Sequence, residues 1–212
     1  MIETRWWWIR HAPVTSNRGR IYGASDVPCD TSDRLALQRL AAIIPGHAVW
    51  VTSHLQRTQQ TADAILKEMP GDLAPERLTE AELAEQNFGD WQGLTHDELA
   101  KRRDGAWHRF WLAPAHERPP GGESFEEMAT RVAAAIRRLN DRHFGRDIVS
   151  VTHGGTIRAA LALALELPAE RALAFEVANC SLTRLDYLPG SVGSHALGGE
   201  GSWRVGQVNY RP

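Results

Sequence analysis

The chain has few cysteines and no long hydrophobic run. Its two cysteines, Cys29 and Cys180, fit neither a disulfide framework nor a zinc-binding spacing. No stretch of about 18 consecutive apolar residues occurs, so no membrane-spanning helix is expected. The first residues also lack the basic-then-apolar pattern of a secretion signal. These absences predict a cytoplasmic protein whose thiols are reduced.

An excess of charge of either sign is also missing. Lys and Arg together number 24 and Asp and Glu 26, which gives a formal net charge of −2. Such a balance gives no general attraction to nucleic acid or to an anionic membrane, so neither partner is expected. Hydrophobic residues make up 42% of the chain, which is enough for one sizeable core. We therefore expect a single domain over residues 1–212, with the oligomeric state left open and a homodimer as one option.

Strand and helix patterns alternate along the chain. Apolar, β-prone runs predict strands at 5–9, 48–52, 147–152, 181–188 and 202–209. Helical spacing of apolar residues predicts helices at 32–44, 55–69, 95–103, 124–142 and 156–166, with Ser32 and Ser124 as N-caps and an irregular segment at 71–94. Alternating strands and helices are typical of a layered α/β domain with a largely parallel sheet.

His and Arg residues follow three of the predicted strands. Arg10 and His11 follow the first, Ser53 and Arg57 the second, and His153 a later one. Because the carboxyl ends of parallel strands meet at one edge of a sheet, these side chains are expected to lie close together. Guanidinium groups match phosphate oxygens, and a neutral imidazole is a nucleophile near pH 7. The arrangement predicts a phosphate site, with the second histidine as a hydrogen-bond donor or a cation.

Five short motifs occur in an order that is typical of one enzyme family. They are Arg10-His11-Ala12 with Asn17, Ser53-x-Leu55-x-Arg57-x-x-x-Thr61, Glu85 before Phe88-Gly89, Gly122-Glu123-Ser124, and an apolar strand into His153-Gly154. In this order the motifs resemble the phosphoglycerate mutase-like branch of the histidine phosphatase superfamily. The resemblance extends over roughly residues 5 to 185.

This resemblance implies a three-layer α/β/α sandwich and a metal-independent phosphatase that needs no cofactor and acts on a small phosphorylated metabolite. By matched position, His11 becomes phosphorylated during turnover, and Glu85 protonates the leaving alcohol and then activates water. Glu82 is the reserve candidate for that acid. The other implied contacts are Arg10, Asn17, Arg57 and His153 for the phosphoryl group, and Tyr22 and Gly23 for the substrate. The motifs around Phe88 and Gly122 also resemble the α-ribazole phosphatase type, which makes α-ribazole phosphate one candidate substrate.

Ala12 stands where the family usually has glycine. Since Pro13 biases the preceding residue toward an extended backbone, we expect Ala12 to cause no distortion. Three alternatives stay open at this point. The first is a phosphoglycerate mutase, and the second is an inactive phospho-ligand-binding domain, for which Ala12 is the best argument. The third is a metal hydrolase using His11, His54 and His153, which lacks an accompanying ligand pattern.

Several other polar residues have ambiguous roles. Arg18 and Arg20 either contact a remote anionic group of the substrate or belong to a solvated loop. Asn179 precedes a predicted strand, where it could face the cleft. The remaining histidines are expected at the surface: 47, 96, 108, 116, 143 and 195.

Overall fold

The computed structural model describes residues 2–15, 17–71, 74–103, 108–190 and 201–212, in which one mixed sheet forms the centre. Its strands are β1 (Thr4–Arg10), β2 (Val49–Thr52), β3 (Arg77–Thr79), β4 (Asp147–Thr152), β5 (Leu182–Leu188) and β6 (Ser202–Tyr210). They lie in the order β3-β2-β4-β1-β5-β6. Strands β1 to β4 pair in parallel, whereas β5 is antiparallel to both β1 and β6. The sheet is therefore largely parallel, as predicted.

Helices cover both faces of this sheet. They are α1 (Arg34–Ile43), α2 (Gln56–Glu68), α3 (His96–Arg102), α4 (Phe125–Arg142), α5 (Gly154–Ala164) and the short α6 (Ala169–Ala172). Residues of α1 and α2 belong to one buried apolar cluster, and residues of α4 and α5 belong to another. The molecule is thus the three-layer α/β/α arrangement expected from the family resemblance. Within the described residues, no helix combines the length and hydropathy needed to cross a bilayer.

The side chains of the central strands alternate between the two clusters. In β4, Ile148 packs with α4 and α5, while Val149 packs with α1 and α2. In β1, Trp6 and Trp8 stack with ring centroids 4.6 Å apart on the α4–α5 side, and Trp7 lies against the other cluster. A strand that is buried on both faces reads as a continuous apolar run, which is how these strands appear in the sequence.

Helix starts follow the local capping residues. Ser124 caps α4 in a full capping box with Glu127, as predicted. The prediction for α1 is wrong by one residue, because the side chain of Asp33, not that of Ser32, accepts the hydrogen bond from the backbone N–H of Ala36. Helix α5 begins two residues earlier than expected, at Gly154.

Two further expectations are wrong. The segment 71–94 is not wholly irregular, because β3 pairs with β2 and two 3-10 turns follow at Ala81–Leu83 and Gly89–Trp91. A three-residue strand receives its conformation from its neighbour rather than from its own pattern. His143, expected at the surface, is buried at the end of α4. The predicted loop after Pro189 and the histidine at 195 fall largely or wholly outside the described residues.

Candidate active site

Parallel strands bring the predicted residues to one edge of the sheet. Arg10 at the end of β1 pairs with Thr152 at the end of β4, and the backbone N–H of His11 donates to the carbonyl oxygen of Thr152 over 2.9 Å. Ser53 and His153 directly follow β2 and β4. Since all three strands run in the same direction, the residues that follow them meet at this edge, where α5 also begins.

His11 is buried and held in one tautomer. Its Nδ1 lies 2.7 Å from the carbonyl oxygen of Ala12, and because a carbonyl can only accept, the Nδ1 carries the proton. The Nε2 atom therefore keeps its lone pair. Burial, followed by the positive charges of Arg57 and Arg10, lowers the pKa of His11 from 6.5 to about 3. A neutral imidazole with a free Nε2 is the form that can act as a nucleophile.

Two arginines beside this imidazole are fixed by backbone carbonyls. Arg57 is fully buried, and its terminal nitrogens donate to the carbonyl oxygens of Gly23 and Ser25 over 2.6 and 2.7 Å. One terminal nitrogen of Arg10 donates to the carbonyl oxygen of Val177 over 2.5 Å. The Nε atoms of both arginines are buried and have no hydrogen-bond partner among the described residues. Each guanidinium is thus oriented by backbone carbonyls, while its Nε has no partner among the described residues.

His153 lies beside His11 with a ring-centroid separation of 5.3 Å. Its Nε2 is 2.8 Å from the Oγ of Ser53, and its Nδ1 is buried without a partner in the described part of the chain. Burial, with Arg57 as the next cause, holds the pKa of His153 well below its ordinary value. Of the two roles left open for His153, hydrogen-bond donor and cation, the lowered pKa favours the donor, because its surroundings are dry and already positive. A neutral imidazole still offers one N–H donor.

Glu85 lies at the N-terminus of α5. Its Oε2 accepts a hydrogen bond from the backbone N–H of Gly155 over 3.3 Å, and its Oε1 accepts one from Gln86 N–H over 3.1 Å. The reserve candidate, Glu82, lies elsewhere, because its carboxylate pairs with Arg138 at 2.8 Å. Of the two acidic candidates, only Glu85 therefore joins the residues at the strand ends.

A cleft of about 670 Å³ opens above these residues. Five of the predicted site residues line it, together with other polar, aromatic and apolar residues: Arg10, Asn17, Tyr22, Gly23 and Glu85, with Gly19, Arg20, Ile21, Phe88, His96, His108, Arg109, Phe110, Trp111 and Leu112. The Tyr22 ring lies 5.1 Å from the Cζ of Arg57. Asn17 holds the loop by donating to the carbonyl oxygen of Arg20. The cleft wall therefore has several cations and one carboxylate.

The structure shows which of the residues with ambiguous roles lie at the cleft and which do not. Ala12 does not adopt a positive φ, as expected, and its N–H donates to the Oγ1 of Thr61 over 2.9 Å. Asn179 holds the backbone of the nucleophile candidate, because its side-chain amide donates to the carbonyl oxygen of His11 over 2.8 Å. Arg20 lines the cleft, whereas Arg18 is exposed and is not part of the cleft wall. His54 is exposed, so the three histidines of the metal-hydrolase alternative do not meet.

The sequence patterns did not single out Arg158. It is 9% exposed on α5, its guanidinium lies 4.7 Å from the centroid of Trp111, and its Nε donates to the carbonyl oxygen of Phe175. One signal was present, since Arg158 stands four residues after Gly154 and so shares its helix face. The sequence could not show that Trp111 packs on Arg158, because Trp111 comes from a loop whose position no local pattern predicts.

Comparisons with known proteins agree with this geometry. The family model of the histidine phosphatase superfamily (branch 1) matches residues 6–198. Phosphoglycerate mutase-like protein 4 of Arabidopsis thaliana is 35% identical over 158 residues, which cover 71% of this chain and 66% of that protein. Adenosylcobalamin/alpha-ribazole phosphatase of Escherichia coli is 29% identical over 181 residues, which cover 82% and 85%.

Solved structures show the same architecture over nearly the whole chain. A mycobacterial glucosyl-3-phosphoglycerate phosphatase superimposes with a TM-score of 0.78 at 28% identity, covering 98% of this chain and 99% of that one. Some curated relatives are longer, however. The chain spans just under two thirds of the Arabidopsis protein and about a third of mycobacterial relatives that are 36% identical.

Proposed function

Since the chain belongs to the histidine phosphatase superfamily (branch 1), we propose that it hydrolyses phosphomonoesters through a phosphohistidine on His11. One observation carries the proposal. Three buried nitrogens without partners among the described residues, the Nε of Arg10, the Nε of Arg57 and the Nδ1 of His153, belong to side chains grouped around a neutral imidazole. Buried donors are nearly always paired, so three unpaired ones at one place indicate a site for an anion.

The three side chains suit a phosphoryl anion both in their number of hydrogen-bond donors and in their positive charge. Two guanidinium groups supply positive charge, and their orientation is set by carbonyl oxygens before any ligand binds. If the Ser53 hydroxyl donates to the Nε2 of His153, the proton of that imidazole lies on Nδ1, which then faces the anion as a donor. Phosphoryl transfer depends mainly on positioning and charge stabilisation of this kind. No metal ion is therefore required for the proposed reaction.

The reaction takes two steps. The Nε2 of His11 attacks phosphorus, an N–P bond forms, and the P–O bond to the alcohol breaks while protonated Glu85 gives its proton to the leaving oxygen. Glu85, now a carboxylate, takes a proton from water as that water attacks phosphorus. The N–P bond then breaks, and phosphate leaves. The enzyme returns to its starting state, because Glu85 regains its proton and His11 regains its lone pair.

The leaving alcohol would occupy the cleft, which is large enough for a small metabolite and is lined by both aromatic and cationic side chains. We propose a small phosphorylated metabolite as the substrate. α-Ribazole phosphate is one candidate, because its base could stack on the aromatic wall and a relative with 29% identity is named for that activity. The free cysteines, Cys29 and Cys180, fit the reducing cytoplasm.

A mutase is the second candidate, and the similarity to a mutase-like relative favours it. A mutase must keep water from its phosphohistidine while the substrate turns around. Only 28 residues separate Gly93 from Gly122, the interval that contains α3 and part of the cleft wall. A segment of this length covers only part of the cleft, so water reaches the phosphoenzyme. This access favours hydrolysis over mutase chemistry. The inactive-domain alternative loses its main argument, because Ala12 lacks the positive φ that would require glycine.

A panel of phosphomonoesters tests the proposal. Phosphate release is measured for α-ribazole phosphate, phosphoserine, sugar phosphates and 3-phosphoglycerate, the last with a trace of 2,3-bisphosphoglycerate. We expect at least one substrate to release phosphate. With 3-phosphoglycerate, we expect phosphate to be released at least as fast as the 2-phosphoglycerate isomer forms. Rapid formation of 2-phosphoglycerate would favour the mutase. No phosphate from any member, with binding retained, would favour the inactive domain.

A further inference from the structure

The motif Gly122-Glu123-Ser124 takes no direct part in the proposed reaction, and none of its residues lines the cleft. Ser124 caps α4. A Cβ added at Gly122 would overlap the carbonyl oxygen of Asn87, so only glycine lets the two segments approach this closely. The Oε1 of Glu123 accepts a hydrogen bond from the backbone N–H of Asn87 over 3.0 Å. The motif therefore packs against the chain that directly follows Glu85.

Glu123 also binds Arg131 of α4 through two parallel hydrogen bonds. The Nε and Nη2 of Arg131 donate to the two carboxylate oxygens of Glu123 over 2.9 and 2.7 Å. The other donors face the backbone. Nη1 donates to the carbonyl oxygens of Glu82 and Ala84 over 2.6 and 3.0 Å, and Nη2 donates to that of Glu85 over 3.2 Å. All five N–H groups of this guanidinium are thereby used.

Glu85 is held from two sides. Its carboxylate accepts a hydrogen bond from the backbone N–H of Gly155 on α5, and its carbonyl oxygen accepts one from Arg131 on α4. Residues 84–88 belong to neither a helix nor a strand, so no regular ladder of backbone hydrogen bonds fixes this segment. Among the described side chains, Arg131 alone donates to the carbonyl oxygens of Glu82 and Glu85. The position of the Glu85 carboxylate therefore depends on Arg131.

We infer that Arg131, paired with Glu123, is a positioning residue that holds the Glu85 carboxylate in place for proton transfer. The inference rests on the proposed function and deepens it. Glu123 balances the charge of Arg131, whose side chain is only 24% exposed and would be costly to keep there without a carboxylate. Neither side chain lines the cleft, so both act through the backbone of residues 82–87. A misplacement of a reacting group by about 1 Å can cost on the order of 10²-fold in rate.

Three variants and one matched control test this role. Arg131→Gln removes the guanidinium, Arg131→Lys keeps the charge but has too few donors for all the carbonyls, and Glu123→Gln keeps the shape without the charge. Arg138→Gln is the control. Arg138 also comes from α4 and contacts the same segment, but it donates to the carboxylates of Glu80 and Glu82 and not to backbone carbonyls.

Turnover is measured with an alkyl phosphate that the wild type cleaves and with p-nitrophenyl phosphate. In Arg131→Gln, kcat on the alkyl phosphate should fall by about 10²-fold with KM nearly unchanged, and p-nitrophenyl phosphate should give a burst of p-nitrophenol because its leaving group needs no proton. Arg131→Lys and Glu123→Gln should show the same pattern with smaller losses, and Arg138→Gln should match the wild type. Equal losses on both substrates without a burst, or the same losses in Arg138→Gln, would overturn the inference.

Hydrogen exchange separates this inference from the proposed function, because it does not require turnover. The backbone amides of residues 85–88 should exchange faster in Arg131→Gln than in the wild type or in Arg138→Gln, while those of β1 and β4 stay unchanged. Unchanged exchange at 85–88 would overturn the inference even if the wild type hydrolyses phosphomonoesters. A wild type that releases no phosphate would instead remove the proposed function, and the exchange rates would still decide whether Arg131 holds this segment.

Discussion

The Nδ1 of His11 lies 2.7 Å from the carbonyl oxygen of Ala12, the residue that follows it in the chain. This contact fixes the tautomer and leaves Nε2 with its lone pair. It also raises the pKa of His11, but burial and two arginines outweigh it and leave that pKa at about 3. The imidazole of His11 is therefore neutral over the whole neutral pH range. Its low pKa also makes the folded protein less stable at low pH.

That cost predicts how stability depends on pH. A histidine with a lowered folded-state pKa binds fewer protons in the folded than in the unfolded state, so the stability it contributes is complete above pH 6.5 and is lost as the pH falls toward 3. His11 should lower the free energy of unfolding by up to about 1.4 kcal/mol per pH unit in that window. Urea unfolding at several pH values, with His11→Gln beside the wild type, measures this. An identical slope in the variant would contradict the lowered pKa.

Glu85→Gln should separate substrates by their leaving groups. The amide cannot give a proton to an alkoxide, so alkyl phosphates should slow by about 10²- to 10⁴-fold. The phosphorylation step should suffer less with p-nitrophenyl phosphate, whose leaving group needs no proton, and phosphoenzyme should accumulate. Glu82→Gln is the control, since Glu82 pairs with Arg138 away from the cleft. Equal losses for both kinds of substrate, without accumulation, would make Glu85 a structural residue.

Gly155→Ala should imitate that effect without removing a carboxylate. The added Cβ would overlap the Oε1 of Glu85 and lie 3.0 Å from the Cε of Met128, so the carboxylate has to move. We expect a loss on the order of 10²-fold on alkyl phosphates, the scale of a small misplacement of a reacting group. Gly206→Ala, where the new Cβ makes ordinary contacts, is the matched control. Unchanged kinetics in Gly155→Ala would show that Glu85 does not act from its present position.

Turnover should survive removal of metal ions. Arg10 and Arg57 supply the charge that a metal would otherwise provide at the phosphoryl oxygens. The rate of phosphate release after prolonged treatment with EDTA should stay nearly unchanged. A complete loss that added divalent ions restore would contradict the proposed mechanism.

The sequence predicts much of this site because strand ends are local features. Arg10, His11 and His153 each follow an apolar run directly, and in a parallel sheet such positions meet. The capping box that starts α4 is equally local, and its Ser124 is recognisable from the spacing to Glu127. Polar residues that directly follow strands can therefore be assigned to one edge of the sheet from the amino-acid sequence alone.

The remaining features depend on contacts between distant segments. The unpaired Nε of Arg57 follows from the carbonyl oxygens of Gly23 and Ser25, which occupy its other nitrogens. The neutrality of His153 follows from complete burial, which its motif does not show. Arg158 gains its place only by stacking on Trp111, which lies far away in the sequence. Burial, charge balance and loop packing are tertiary properties, and local patterns do not fix them.

Trapping the phosphoenzyme tests the central claim most directly. The protein is mixed with a substrate labelled in the phosphoryl group, quenched in base, where a phosphohistidine survives, and digested for peptide mapping. We predict an acid-labile label on the peptide that contains His11, a stronger signal in Glu85→Gln, and none in a folded His11→Ala variant, which should also release no phosphate. A label on another residue, or substantial phosphate release by His11→Ala, would contradict the account.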